Sequence, residues 1–399
     1  MNRSRISLAG LVALILLGLT SPAWRRSLSP SSPTPLVVYC AHDAVFSEQI
    51  LRDFERRTGI PVEIRFDTEA TKSLGLVNLI VQEAAHPRCD VFWNNQVLST
   101  LELQQRGLLE PYRGPGFDRI PARFKDADGH WAGFAARLRV FIVNVAQASR
   151  TLKLPLPPRG EGRGEGQPIP DVDSELRTGS RLPLTPDPSP PPGERGDVDE
   201  LAAISSPDQF DHLPAQLNHW AIAKPLFGTT NTHYALLWHL WGEEKLTAWH
   251  RELRRRGIRE VPGNGSVKNL VAEGVCQTGF TDTDDFFEAK DEGKPVTMRP
   301  VLVNDRAICI PNSVVIIRGS KNIDAARRLV DFLLSAENEL ALANSAARQV
   351  PLGPVDESKL APEVIELRRW VDNAHDVADL LPAQEACLRW LKSESLRGE

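Results

Sequence analysis

Apolar and polar positions follow two rhythms along the first third of this chain. PLVVYCA (35–41) and CDVFWNN (89–95) are short apolar runs and PVEIRF (61–66) alternates with period two, so each predicts a strand. Between them, Phe46, Ile50, Leu51 and Phe54 recur at helical spacing up to a stop at Gly59. TKSLGLVNLIVQEAA (71–85) and STLELQQRGLL (99–109) repeat the helical rhythm. Strands alternating with helices predict an α/β fold with mainly parallel sheets flanked by helices. Ligands of such sheets gather at the carboxyl ends of the strands. Those ends carry Ala41-His42-Asp43, Asp67-Thr68-Glu69 and Asn94-Asn95-Gln96.

WAGFAARLRVFIVNV (131–145) then predicts a long strand with Arg137 and Arg139 on one face. The rhythm lapses from 153 to 200, where Pro, Gly and charge dominate and LPLPPRGEGRGEG (154–166) is echoed by LPLTPDPSPPPGERG (182–196). Such composition predicts a disordered insertion. Its glycines are no dinucleotide fingerprint, because no strand precedes them and no helix follows. Regularity returns near Ser206. A strand over 220–227 leads into Gly228-Thr229-Thr230-Asn231, then helices over 232–242 and 243–255. Asn264-Gly265-Ser266 opens another helix, 275–282 and 307–317 are strands, and 322–344 is an amphipathic helical region. Its apolar positions are Ala326, Leu329, Val330, Leu333 and Leu334. A second α/β lobe follows from this half.

Length and composition sharpen the picture. At 399 residues the chain exceeds one ordinary core and predicts two domains. The net charge of −5, without a basic stripe, argues against a nucleic-acid partner. Arg3 and Arg5, the apolar run 6–19 and Ser21-Pro22-Ala23 have the layout of a secretory signal peptide over 1–23. Arg25-Arg26 leaves an uncleaved anchor as the alternative, and 24–35 is a Ser/Pro-rich leader. The five cysteines lack zinc spacing, and their odd number leaves at least one thiol unpaired.

Candidate chemistry concentrates in GFTDTDDFF (279–287). Asp282 and Asp284 suggest a calcium loop, but Phe287 and Gly293 occupy positions where an EF-hand needs Gly and Glu. Asp285-x-x-Glu288 fits a capping box. The remaining carboxylates exceed what a cap needs and suit a hard cation, an ammonium group or polyol hydroxyls. Thr229, Thr230 and Asn231, with Asn264 and Ser266, stand at helix starts, where free N–H groups favour an anion. The same residues also serve as ordinary N-caps. Of the two arginines, Arg137 is the one expected to aim its fork at an anion.

Taken in order, VVYCAHDAVFSEQILRDFERRTGIPVEI, CDVFWNNQ, GLLEPY, RLRVFIVN, GTTNTHYA, NGSVKNLVAEG and NIDAARRLVDFLLS resemble the periplasmic substrate-binding proteins of ABC importers. The likeness is to the ferric-ion-binding branch of the bacterial extracellular solute-binding family, over residues 36–399 apart from the insertion. It implies a two-lobe (type 2) periplasmic-binding-protein fold with the ligand in the cleft. The N-lobe would comprise 36–137 and 307–345, and the C-lobe 138–306 and 346–399, with 153–200 inserted in it. The implied protein is a non-enzymatic, monomeric carrier in the periplasm or extracellular space that serves an ABC permease and its ATPase.

The resemblance also implies ligand-binding roles for His42, Asp43, Asn95, Arg137, Thr229, Thr230, Asn231, Asn264, Ser266, Asp282 and Asp284. It implies metal ligation by His42, Asp284 and Asp285. Fe3+ with a synergistic anion is the first expected ligand. The chain departs from the family at two points: Asn95 replaces an acidic residue, and the aspartates stand where ferric binders present a tyrosine pair. That departure makes a sugar phosphate, phosphonate or other small anion the alternative. A periplasmic metal-dependent hydrolase using Asp282, Asp284 and His42 is the alternative of another class, though HExxH and GxSxG are both missing.

Overall fold

The computed structural model describes residues 34–67, 74–147 and 215–395. The expected signal peptide, most of the expected leader and the expected insertion over 153–200 lie outside the described residues.

The first lobe is built as the hydrophobic rhythm predicts. Strands β1 (Leu36–Cys40), β2 (Val62–Phe66) and β3 (Val91–Asn94) pair in parallel in the order β2-β1-β3. Helices α1 (Ala44–Thr58), α2 (Leu74–Gln82) and α3 (Leu98–Gln105) connect and cover them. Gly59, at φ 69°, closes α1 by donating its N–H to the Glu55 carbonyl. The helix predicted to run to 109 ends at Gln105, because Gly107 takes φ 71°. Leu109–Glu110 instead forms a short strand, β4.

Two strands carry the chain between lobes. β5 (Ala132–Asn144) is buried along its whole length, as is β12 (Cys309–Ile317). β12 lies antiparallel between β3 and the first half of β5, as far as Leu138. From Arg139 onward β5 pairs instead with β8 (Thr278–Asp282) and β9 (Val296–Pro300). β8 then continues in parallel to β6 (Trp220–Ala223) and β7 (Arg259–Val261). The sets β2-β1-β3 and β8-β6-β7 therefore run parallel, whereas the crossing strands pair antiparallel, with β4 and β9 as well as with each other. A two-residue turn with Asn304 and Asp305 at positive φ joins the small hairpin β10 (Leu302–Val303) and β11 (Arg306–Ala307), which the sequence reading missed.

Helix α4 (Gly228–Arg255) is broken at Gly242 (φ 80°), where the apolar pattern divides it in two. α5 (Asn264–Ala272) and α6 (Thr283–Asp291) flank β8. Gly279 lets α5 approach that strand: a Cβ there would overlap the Val267 side chain and stand 2.9 Å from the Ala221 carbonyl oxygen. The amphipathic region 322–344 becomes α7 (Ile323–Leu333) and α8 (Ala336–Ala343). Ser335 separates them, its hydroxyl accepting from the Asn338 N–H. α9 (Pro362–Asp372) and α10 (Leu381–Ser395) complete the chain, and α10 packs on α4.

The apolar core lies on both faces of the sheet. Leu36, Val38 and Cys40 point to one face, and Tyr39 and Ala41 to the other. One buried charge stiffens this frame. Glu339 is fully buried and accepts from Arg119 at 2.7 Å and from the N–H groups of Ala135, Leu352 and Gly353.

Candidate functional site

A cavity opens where the two lobes meet. Asp43 and Asn95 come from strand ends of the first lobe and Arg137 from the crossing strand. Lys224, Thr229, Thr230, Asn264, Asp282, Asp284 and Asp285 come from the second lobe. Helix N-termini supply much of the wall. The N-cap positions of α1, α4, α5 and α6 are Asp43, Phe227, Gly263 and Asp282, and none makes a side-chain cap. All four line the cavity.

The aspartates are far from equivalent. Asp282 accepts from Arg139 Nη1 (2.7 Å) on one oxygen and from Thr229 (2.5 Å) and Asn264 (2.9 Å) on the other. Asn264 also receives the Thr230 hydroxyl at 3.0 Å. Asp284 stands 3.3 Å from Arg137 Nε. Asp285 accepts from the Thr281 hydroxyl at 2.6 Å. Asp285 is not the cap that the sequence pattern predicts. The N-cap position is Asp282, and Asp285 lies in the first turn of α6, where a carboxylate is favoured by the helix dipole.

Oxygens of Asp282, Asp284 and Asp285 lie within 4.8 Å of one another, a spacing at which three carboxylates can share a cation. Two of these carboxylates already face an arginine, so a cation would compete with a guanidinium at each. No tyrosine lines the cavity. The hydroxyls of Tyr39, Tyr112 and Tyr234 bond to Glu83, Asp331 and His250 respectively. Burial, then the neighbouring carboxylate, pushes Tyr39 and Tyr112 up to about 12, and burial pushes Tyr234 well above the usual range. A phenolate ligand needs the proton removed.

His42, Asn231 and Ser266 are not among the lining residues. His42 is buried against Trp93 and Phe46, with Nε2 on Gln349. Asn231 is held by Pro225 and Gln384. Lys224 lines the cavity and was missed by sequence reading; an exposed lysine beside a proline carries no signal of its own. Asn312 and Gln349, which hold Arg137 and His42, were missed as well. His233 is buried beside Arg139. Burial, then the guanidinium charge, holds it well below its ordinary value and so neutral.

No family model matches the chain. Among curated proteins, an uncharacterized protein of Haemophilus influenzae is 23% identical over 365 residues, 88% of this chain and 89% of that one. An Fe(3+)-binding periplasmic protein of Serratia marcescens is 26% identical over 145 residues, 36% of this chain and 41% of its own. Iron-bound HitA from Pseudomonas aeruginosa superposes with a TM-score of 0.65 at 19% identity, covering 90% of this chain and 99% of that structure. The periplasmic binding protein AfuA from Actinobacillus pleuropneumoniae, with fructose-6-phosphate bound, gives 0.65 at 18%, covering 90% and 98%. The chain has the two-lobed α/β fold of the periplasmic binding proteins.

Proposed function

We propose that the chain is an exported solute-binding protein that captures a small hydroxylated anion, of the sugar-phosphate class, between its lobes. It would pass the ligand to an ABC permease driven by its ATPase. The observation that carries this reading is the charge arrangement of the cavity. Asp282 is already neutralised by Arg139 and Asp284 faces Arg137, while Lys224 and four helix N-termini present positive charge and free N–H groups. Asp43, Asn95 and Asp285 add acceptors for ligand hydroxyls. A bare cation would meet the arginines.

Capture by lobe closure shifts the population toward the closed state, because the ligand contacts both lobes only there. A carrier role needs no turnover, and the solved structures of similar fold are binding proteins. The expected periplasmic or extracellular location rests on the N-terminal sequence pattern and on the fold. No helix among the described residues is long and apolar enough to cross a membrane.

The clustered carboxylates favour one second reading, ferric iron with a synergistic anion. A thermal-shift series separates the two. Fructose 6-phosphate, other sugar phosphates and phosphonates should raise the Tm with ligand excess, and ferric iron with carbonate or phosphate should not. The opposite result would replace the anion by iron, and turnover of any added phosphate ester would replace the carrier by a hydrolase.

A further inference from the structure

Arg137, Asn312, Gln349 and His42 form an unbroken run of hydrogen bonds beneath the cavity, and all four are at most 3% exposed. Its polarity is forced from one end. Arginine only donates, so Asn312 turns its oxygen to Arg137 Nη2, at 3.0 Å. The Asn312 amide nitrogen then faces two acceptors, the Ala135 carbonyl oxygen and Gln349 Oε1, the latter at 2.9 Å. With its oxygen used, Gln349 presents Nε2 to His42 Nε2 at 2.5 Å. Two nitrogens can share a hydrogen bond only if one offers a lone pair, and an amide nitrogen does not. The imidazole must accept, and its proton sits on Nδ1, which faces the Asp43 carbonyl oxygen at 3.4 Å.

We propose that His42 is locked in the Nδ1–H tautomer by this relay, and that Asn312 and Gln349 are positioning residues that aim the Arg137 guanidinium into the cavity. The backbone around the relay is shaped for it. Ala135 and Arg348 take φ 40° and 44°, costly for non-glycine residues, and β12 slips register between Pro311 and Asn312. Glu339 pins the Ala135 N–H at 2.9 Å. Asp291 holds the Arg348 fork with bonds of 2.7 and 2.9 Å, fixing the residue before Gln349. The relay also occupies the Nε2 lone pair that a metal would need. Freeing it requires Gln349 to turn, which sets its amide nitrogen against that of Asn312.

The tautomer stands independently of the ligand; only the consequence at Arg137 rests on the anion reading. Long-range 1H–15N spectra of the full chain at neutral pH, with His42 assigned by its loss in His42→Phe, provide the test. A pyridine-type Nε2 and a pyrrole-type Nδ1 are expected. Gln349→Glu offers the ring an acceptor and should move the proton to Nε2. Gln349→Met removes the donor and should give mixed tautomers, which serves if the charged variant fails to fold. A pyrrole-type Nε2 in the wild type, or ring shifts unchanged in whichever Gln349 variant folds, overturns the relay. Asn312→Leu should weaken fructose 6-phosphate binding at least about tenfold; unchanged affinity overturns the positioning role. If the wild type binds no sugar phosphate, the anion reading fails while the spectra still decide the relay.

Discussion

Arg137 and Arg139 sit two residues apart on the same face of β5, yet Arg137 lines the cavity and Arg139 stands behind the residues that do. Arg139 is fully buried. It spends Nη1 on Asp282, Thr229 and Asn264, and its Nε and Nη2 have no hydrogen-bond partner among the described residues. Arg137 lines the cavity, held from behind by Asn312 and the Asn95 carbonyl and facing Asp284 across the lobes. The difference arises because β5 changes partners between Leu138 and Arg139. Identical side chains on one strand therefore meet different lobes. Arg139 reaches the cavity only through Asp282, Thr229 and Asn264, whereas Arg137 lines it directly.

The most damaging way to test this contrast is Asp282→Ala. It strands a buried guanidinium and should cost about 3–5 kcal/mol in urea unfolding. A loss of stability small enough to match a surface substitution would show that Arg139 is not structural. Arg137→Leu should act the other way, weakening fructose 6-phosphate about a hundredfold by calorimetry, at the low end of the range for losing one charged partner. Its urea midpoint should move far less than that of Asp282→Ala.

Acid offers a third test, because guanidinium groups do not titrate. Burial, then Arg254, lowers His250 from 6.5 to about 4, and His233 shifts the same way. Below pH 6.5 the unfolded chain binds the extra protons. Stability should be complete above that value and fall as the pH drops toward 4. His250→Phe should make the fall in Tm shallower, with His233 supplying the remainder. Ser335→Ala, remote from both arginines, should cost only about 1 kcal/mol through loss of the α8 cap and leave ligand affinity unchanged.

Much of this organisation was legible in the sequence. Periodicity located β1, β2, α1 and the crossing strand β5, because burying one face imposes a period that single residues cannot hide. Gly59 was readable as a stop, whereas Gly107 was not, since the apolar residues after it continue the helical count into β4. At the site, Thr229, Thr230, Asn264 and the three aspartates of GFTDTDDFF converge on one cavity. Which carboxylate is neutralised depends on arginines more than a hundred residues away, and no local pattern carries that. Gln349 and Asn312 are ordinary amides in the sequence. Asn312 takes its meaning from meeting a donor-only arginine, and Gln349 from standing between Asn312 and His42, both in the buried interior.

Gly279 begins the acidic stretch and touches no part of the cavity, yet its missing side chain sets how close α5 lies to β8. Asn264 rides on α5 and Asp282 ends β8, so the gap between helix and strand also sets the bond between them. A single methyl group at 279 would act as a shim, displacing one wall of the cavity while leaving every lining residue unchanged. The spacing of the cavity wall is therefore set in part from the apolar side of the sheet, by a residue that lines no cavity.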